Sequence, residues 1–512
     1  MTTPDAINRR LAGRKPSSLV GMAAAFLIGV LLAAVLVPDR NDVLGAAPGS
    51  AASATRNHDG SPAGTTPDGG TALTVDGAPG SGTGGPTSPG ATGPVQSTSG
   101  ARPGTSGSAG SAAGGSTGPG VSASSIKIGF GLPDLSAIGA LGPGYDQGDP
   151  KQHVEGILKE LRAEGRLPVH GRDITPIYSS YNILSADAQR ATCETFGIDN
   201  VVFAVIAIHD FGPGNECTAR EFKLPTFTSD GSGDAVYARS APNLFTMQMS
   251  SDRLFRNFVA WADRDGLLTG KRIGVYYPSD PAQAQVVKES IINPIKARGR
   301  TIVSEVQTAD QNTGGPTDAV AVQRFSSDRV DTAILIVSAI AKTNFFNQAQ
   351  AQGFKPRYLE NDAGFSTTDT ATSTYPKDHF DGTAAFTGLR FGEPNSGLPE
   401  PAEAQWCRAA IKKQTGNDIP RQGRDAEYIA ANQACDEILT VLHGLEQAGP
   451  TLTREAFIRG VETIRNQPAG IHGNLTFTPQ RHDGTGTWRR IDWTKTCSCW
   501  KVKTTLSPLL VG

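Results

Sequence analysis

Two short apolar stretches decide the fold: residues 201–206 read VVFAVI and residues 332–337 read TAILIV. Neither stretch contains a charged residue, which is typical of a strand buried on both faces of a parallel sheet. Between such runs lie helical patterns, and residues 154–161 place apolar side chains at i, i+3, i+4 and i+7. Strands that alternate with amphipathic helices predict an α/β fold with helices on both faces of parallel sheets.

This pattern of strands occurs twice along the chain. The predicted strands are 126–130, 174–178, 201–206 and 224–228 in the first set, then 272–276, 301–306 and 332–337 in the second. Residues 125–512 are too many for one ordinary core, so two lobes are expected. Ligands of such sheets bind at the carboxyl ends of the strands, and two facing lobes would form a cleft there.

The ordered set of segments resembles the type I periplasmic-binding-protein family, in the branch of the leucine/isoleucine/valine-binding receptors of ABC importers. The matching segments are IKIGFGLPDLSAIGA (126–140), SADAQRATCETF (185–196), VVFAVI (201–206), KLPTFTS (223–229), KRIGVYYPSD (271–280), VDTAILIVSA (330–339), GFKPRYLENDAG (353–364) and GNLTFTPQRHDG (473–484). The resemblance implies two lobes that close on a small solute. Lobe one is expected at 125–248 and 392–470, and lobe two at 249–391 and 471–512.

Composition divides the rest of the chain. Only 38% of the 512 residues are hydrophobic, because 66 of the 79 residues in segment 44–122 are Gly, Ala, Ser, Thr or Pro. Such a segment cannot bury enough area to offset its ordering entropy, so a disordered linker is predicted. The 47 Lys and Arg against 49 Asp and Glu leave a net charge of −2. A nucleic-acid binder is excluded, since it needs a basic face.

Residues 18–37 carry no charge and match the thickness of a membrane. The four basic residues in segment 1–17 predict a cytoplasmic tail, a single-pass anchor in the cell membrane and an extracytoplasmic C-terminal domain. A signal sequence that is cleaved to give a secreted protein is the alternative. No cysteine precedes Cys193, which excludes a lipid-anchored N-terminus.

The loops that follow strand ends supply the candidate ligand-binding residues. In the receptors that this chain resembles, lobe-one hydroxyls hold the ligand carboxylate and a lobe-two acid takes the ammonium. Ser229 matches the hydroxyl position, Tyr277 matches an aromatic position, and Asp362 matches the acid, with Glu360 as the alternative register. The full predicted set is Ser136, His209, Asp210, Ser229, Asp230, Tyr277, Asp280, Ser338 and Asp362.

The loop after the third strand departs from the amino-acid receptors, where small hydroxyl residues are usual. It reads IHDFGPG (208–214), and Asp210 would repel a carboxylate if it faced the cleft. A cationic, amide-type or aromatic solute then becomes reasonable. In the alternative, His209 and Asp210 form a local pair that faces away from the cleft.

The cysteines fit an oxidising compartment, since six is an even number. They are Cys193, Cys217, Cys407, Cys435, Cys497 and Cys499. The first two occupy positions that resemble a family disulfide, and the other four allow three pairings. A disulfide between the lobes would hinder their closure, which favours a bond between Cys407 and Cys435. Cys497 and Cys499 then remain as a Cys-x-Cys pair. A zinc site of that pair with His482 is the alternative.

Motifs of enzymes and of cofactor sites are weak. Residues 231–233 do not form a nucleophile elbow, and residues 230–234 lack the ligand spacing of a calcium loop. The sequence therefore predicts no enzyme, no cofactor and no metal. The predicted function is a monomeric solute receptor that delivers an amino acid or similar small polar molecule to an ABC permease. The alternatives are a membrane-anchored ligand sensor of the same fold and an extracytoplasmic enzyme.

Overall fold

Two β-sheets organise the chain in the computed structural model, which describes residues 118–135, 146–209, 211–423 and 425–511. The first sheet has five strands in the order β2-β1-β3-β4-β5, and all neighbouring pairs are parallel. Its strands are β1 Ser125–Asp134, β2 Asp173–Asn182, β3 Ala204–Ala207, β4 Thr226–Thr228 and β5 Leu244–Thr246. This sheet is the centre of lobe one.

The second sheet has eight strands and is the centre of lobe two. They are β6 Arg272–Pro278, β7 Thr301–Thr308, β8 Thr332–Leu335, β9 Arg357–Asn361, β10 Ala384–Thr387, β11 Thr487–Thr494, β12 Cys499–Val502 and β13 Ser507–Pro508. The strands from β6 to β10 pair in parallel, but β11 pairs antiparallel with β10, β12 and β13. The predicted two-lobe α/β fold with parallel sheets is confirmed, and the second sheet adds an antiparallel edge that the sequence did not predict. A short turn joins β11 to β12, so their directions must reverse.

The helices alternate with the strands and cover the sheets. They are α1 Pro150–Ala163, α2 Ala186–Glu194, α3 Pro213–Glu216, α4 Asp234–Ser240, α5 Ser251–Arg264, α6 Pro281–Val287, α7 Asn293–Ala297, α8 Pro316–Ser327, α9 Ala339–Ala351, α10 Asp369–Thr372, α11 Lys377–Phe380, α12 Ala402–Thr415, α13 Asp425–Ala448 and α14 Arg454–Val461. Short 3₁₀ turns lie at Ala363–Phe365 and Pro394–Ser396.

Helix α1 shows how the local sequence sets these elements. The Asp149 carboxylate accepts hydrogen bonds from the backbone N–H groups of Lys151 and Gln152, and Pro150 occupies the first turn. Both features favour a helix start. The apolar positions of residues 154–161 are buried in the core of lobe one.

The chain crosses between the lobes three times. The crossings lie between β5 and α5, between β10 and α12, and between α14 and β11. Helices α12 and α13 return to lobe one and pack against α1, and α14 packs against α13. Each lobe is therefore built from two separate segments of chain, which makes the crossings the natural hinge.

Two buried carboxylates hold the crossings together. Asp483 forms an ion pair with Arg253, Nε to Oδ2 at 2.9 Å, and accepts the Ser250 backbone N–H at 2.7 Å. Asp436 of α13 accepts the three successive backbone N–H groups of residues 470–472, at 2.7, 3.1 and 3.3 Å. These bonds tie the third crossing to the first crossing and to lobe one.

The apolar run VVFAVI begins at residue 201, but the strand that it predicts begins three residues later. Val201 has a φ of 46° and is 44% exposed, and strand β3 begins only at Ala204. The Val202 N–H donates to the Phe196 carbonyl oxygen, which closes a tight turn before the strand. The turn forces Val201 into the left-handed region and turns its side chain to solvent.

The predicted tail, membrane span and nearly all of the linker lie outside the described residues. Within the described residues, no helix has the length and apolar character needed to cross a membrane. The last residues of segment 44–122 are described, and they belong to the folded part. Val121 is 6% exposed, pairs with Ile126 in an isolated bridge and joins the core of lobe one. The folded domain thus begins a few residues earlier than composition indicated.

Three disulfides join the six cysteines. The bonds are Cys193–Cys217, Cys407–Cys435 and Cys497–Cys499. His482, the third ligand of the alternative zinc site, instead stacks on Phe245 at 4.0 Å and bonds Glu462 at 2.9 Å. Within the described residues, no group of three or more His, Cys, Asp or Glu could hold a metal ion.

The disulfide Cys407–Cys435 joins α12 to α13 and spans 28 residues of sequence. Loop closure in the unfolded chain predicts that Cys407→Ser with Cys435→Ser lowers the free energy of unfolding by about 3–4 kcal/mol. The matched control is Cys497→Ser with Cys499→Ser, whose bond spans only 2 residues and should contribute about 1–2 kcal/mol. Denaturant unfolding without reductant measures both, and equal losses would contradict the loop-closure explanation.

Candidate functional site

The carboxyl ends of the strands in both lobes converge on one region. His209 follows β3, Ser229 and Asp230 follow β4, and in lobe two the turn Asn361–Phe365 follows β9. A parallel sheet places all its strand ends at the same edge, so loops distant in sequence meet there. This region is the candidate binding cleft.

The predicted hydroxyl, Ser229, is already hydrogen-bonded within lobe one. Its Oγ donates to Oε1 of Glu437 at 2.7 Å, and both side chains are fully buried. Burial, together with the nearby carboxylates of Asp230 and Asp436, raises the pKa of Glu437 well above its ordinary range. The second carboxyl oxygen, Oε2, has no hydrogen-bond partner. The Ser229 hydroxyl is therefore bonded to a buried acid at the strand end of lobe one.

Glu437 was missed in the sequence. It lies on α13, where residues 428–442 read YIAANQACDEILTVL. An acidic pair inside an otherwise apolar helical stretch was the available signal, since buried carboxylates are rare unless paired or functional. The position of Glu437, 208 residues from Ser229 along the chain, could not be inferred from that signal.

His209 and Phe365 form a contact between the two lobes. Their rings meet edge to face with centroids 4.6 Å apart. His209 has a φ of 92° and Phe365 a φ of 59°, and such left-handed conformations are uncommon for residues other than glycine. The Thr228 hydroxyl donates to the His209 carbonyl oxygen at 2.9 Å and helps to hold this conformation. Strained residues of this kind cluster at functional sites.

His209 pairs with Asp230 in this structure. Nδ1 lies 3.6 Å from Asp230 Oδ2, and the predicted partner, Asp210, lies outside the described residues. The other oxygen of Asp230 accepts a hydrogen bond from Gln248 Nε2 at 3.0 Å. Gln248 belongs to the first crossing, so the lobe-one acid is linked directly to the hinge.

A narrow crevice, too small to admit a water molecule, lies beside this hinge. It is lined by Gln248, Met249, Leu254, Asp362, Gly388, Leu389 and Thr485. The lining comes from the first two crossings, from the third crossing and from the strand end of β9. Asp362 is thus positioned where the lobes meet.

Both oxygens of Asp362 are engaged by its own lobe. Oδ1 accepts the Thr367 hydroxyl at 2.6 Å, and Oδ2 accepts the Gly388 N–H at 2.7 Å. Burial raises the pKa of Asp362 to about 6, although these hydrogen bonds oppose the increase. Asp362 joins the turn after β9 to the end of β10, and its contact with solute stays a prediction.

Glu360, the alternative register, lies beneath the same turn. Its Oε2 accepts Lys342 Nζ at 2.6 Å, and Nζ also bonds the Ser366 hydroxyl. All of Glu360 and Lys342 is buried, and desolvation raises the pKa of the acid and lowers that of the amine. This pair supports the turn that carries Phe365 into the cleft.

The remaining predicted residues have other positions. Tyr277 is buried in the lobe-two core, Asp280 caps helix α6 through the Gln283 N–H, and Ser338 caps α9 and donates to the Asn312 carbonyl oxygen. Ser136 and Asp210 lie outside the described residues. The structure thus brings His209, Ser229, Asp230 and Asp362 to the junction of the lobes and gives Tyr277, Asp280 and Ser338 structural contacts.

Two α/β lobes, three crossings and facing strand ends define the architecture of a hinged solute-binding domain. The chain belongs to the periplasmic binding protein family, whose model matches residues 125–497, and it falls in the type I class of that family. A search of curated proteins finds no match.

Several solved structures have the same fold, among them two substrate-binding proteins of ABC transporters and a leucine binding protein. A solute binding protein from Rhodopseudomonas palustris BisB5, in complex with 3,4-dihydroxy benzoic acid, is 16% identical, with a TM-score of 0.56 over 76% of this chain and 98% of that one. A leucine binding protein from Thermotoga maritima MSB8 is 15% identical, with a TM-score of 0.57 over 75% and 99%. A fatty acid ABC transporter substrate-binding protein from Thermomonospora curvata is 18% identical, with a TM-score of 0.57 over 77% and 95%. Identities this low establish the fold alone.

The raised pKa of Asp362 predicts a pH dependence of stability. Folding raises this pKa from 3.8 to about 6, so the native state holds the proton more tightly than the unfolded chain. The stabilisation is complete below pH 3.8 and is lost as the pH rises to about 6, by about 3 kcal/mol. Asp362→Asn removes the charge and keeps an acceptor for the Gly388 N–H, so it should be more stable than the wild type at pH 7 and not at pH 4.

Urea unfolding of the full-length protein at the two pH values measures this difference. The control is Asp378→Asn, because the Asp378 carboxylate is exposed beside Lys495, which lowers its pKa. A wild type and an Asp362→Asn variant with parallel pH curves would show that burial does not raise the pKa of Asp362.

Proposed function

We propose that this protein is an extracytoplasmic solute receptor that delivers a small molecule to an ABC permease. The observation that carries the proposal is the convergence of polar and titratable side chains from both lobes on the hinge. His209, Ser229 and Asp230 come from lobe one, and Asp362 and Phe365 come from lobe two. A domain with no role in binding would not need such groups at the junction of two sheets.

The solute class is an amino acid or a similar small polar molecule. The similar proteins of known structure are titled for an aromatic acid, leucine and fatty acids, so the fold accommodates different chemistry on one scaffold. Specificity in this chain must then come from its own cleft side chains. These are mainly acidic and aromatic rather than hydroxyl-bearing.

Binding is coupled to movement of the lobes. The contact of His209 with Phe365 already joins the two strand edges, and a solute must replace or extend this contact. The ion pair of Asp483 with Arg253 and the hydrogen bond from the Gly470 N–H to Asp436 hold the crossings in place. The lobes therefore rotate about these crossings. Solute then shifts the population from open to closed lobes by its greater affinity for the closed state.

Thermal unfolding of the full-length protein against a library of small solutes tests the proposal. A solute at 100 times its dissociation constant stabilises the native state by about 2.7 kcal/mol and raises the Tm by several degrees. Ser229→Ala should weaken that solute at least tenfold, because it removes the bond that fixes Glu437. Ser327→Ala, on the exposed surface of α8, should leave the affinity unchanged. If no solute in a broad library shifts the Tm, receptor function is contradicted.

A further inference from the structure

Two acids at the strand ends of lobe one, Glu437 and Asp230, form no ion pair with a lysine or arginine of the described residues. Among the described residues, Oε2 of Glu437 has no hydrogen-bond partner, and Asp230 contacts His209 and accepts a hydrogen bond from Gln248. No lysine or arginine in the part of the chain that the structure describes forms an ion pair with either acid. Two carboxyl groups therefore lie at the strand ends of lobe one without a lysine or arginine paired to either of them.

Further unpaired polar atoms accompany these acids. Gln433 lies one helical turn before Glu437 on α13, so the two side chains share one face. The Nε2 atom of Gln433 is buried and has no hydrogen-bond partner, and the same holds for Nδ1 of His209. Leaving a buried polar atom unpaired costs about 1–3 kcal/mol, and such groups are rare in structural cores. Helix α13, which carries Gln433 and Glu437, packs against strand β4, and His209 follows the neighbouring strand β3. A ligand bound at these strand ends would supply partners for the three atoms.

A structural role alone does not explain Glu437. A structural acid at this depth usually has a cation or a full set of donors. Glu437 has one donor, the Ser229 hydroxyl, and its nearest charged groups are the like-charged Asp230 and Asp436. The Asp436 carboxylate, by contrast, accepts hydrogen bonds from the backbone N–H groups of residues 470–472. Its Oδ2 also lies 2.8 Å from the ring Nδ1 of His472.

From this geometry we infer that the cleft takes its solute by a cationic group, an ammonium or a guanidinium, held by Glu437 and Asp230 of lobe one. The inference rests on the proposed receptor function and specifies its substrate class. It reverses the polarity that the resemblance implied, because the position expected to hold a ligand carboxylate is acidic. An anionic group would meet two acids with no lysine or arginine of the described residues paired to them, whereas a cation completes the unpaired Oε2 of Glu437.

Binding of the cation is coupled to a proton. Burial favours the protonated form of Glu437, and a cation beside it favours the carboxylate. The proton leaves Glu437 for solvent while the cation takes its place, so the charge in the site is conserved. Affinity should therefore increase with pH. The other titratable groups that face Glu437 or adjoin it are Asp230 with His209 and Asp436 with His472.

Matched pairs of amines and acids test the solute class. The probes are benzylamine with benzoate, isoamylamine with isovalerate, and leucinamide with N-acetyl-leucine, added to the full-length protein in a thermal-shift titration. At least one amine should raise the Tm and bind at least tenfold more tightly than its acid. If the acids bind and the amines do not, the inference is overturned while the receptor function stands.

If none of the paired probes binds, a broader library of solutes is screened in the same thermal-shift assay. A solute with a cationic group supports the inference, and a solute without one overturns it. If no solute of any charge binds, the receptor function itself is contradicted and the inference is overturned with it.

The variant Glu437→Gln tests the residue. It has nearly the same shape and keeps an acceptor for the Ser229 hydroxyl, so it should fold. The affinity for the amine should fall at least tenfold, and the proton release that accompanies binding of the amine should disappear. Calorimetry at pH 7 in phosphate and in Tris, which differ in ionisation enthalpy, measures both quantities.

The control is Glu446→Gln on the same helix, where the side chain is 39% exposed. It should leave affinity and proton release unchanged. Unchanged proton release in Glu437→Gln would overturn the role of this acid even if the affinity fell.

Discussion

Parallel strand pairing is the constraint on which the rest of this structure depends. A strand that lies parallel to its neighbour must be reached by a crossover, so every strand of such a sheet ends at the same edge. In lobe one this brings the loops after β3 and β4 together, and in lobe two it places the turn after β9 opposite them. The cleft is therefore a consequence of the connectivity, and its chemistry is left to the few residues at the strand ends.

The hinge adds a second level of organisation. The three crossings run side by side, and buried carboxylates satisfy their backbone N–H groups where no sheet can. Asp483 serves the first and third crossings, and Asp436 anchors the third to lobe one. Burial lowers the pKa of Arg253 and raises that of Asp483, yet their contact compensates both charges. These contacts fix the three crossings relative to one another at the junction of the lobes.

Charge compensation distinguishes the supporting parts of the molecule from the cleft. Lys342 and Glu360 are completely buried, and each has the other as a partner. Arg253 and Asp483 are paired in the same way. At the strand ends of lobe one the acids outnumber the bases, and Glu437 keeps an unpaired oxygen. The two supporting pairs thus combine opposite charges, whereas Glu437 lies beside the like-charged Asp230 and Asp436.

The amino-acid sequence by itself determined the class of fold, because apolar periodicity and strand order are local properties that do not depend on side-chain directions. It indicated the two lobes and the region of their crossings, and it placed His209, Ser229, Asp230 and Asp362 at strand ends. It failed where local geometry overrode the pattern, as at Val201, whose apolar side chain lies outside the strand. Only the tertiary structure decided the character of the site, since the bond between Ser229 and Glu437 joins residues 208 positions apart. The burial that raises the pKa of Glu437 exists only after α13 has packed against the strand ends.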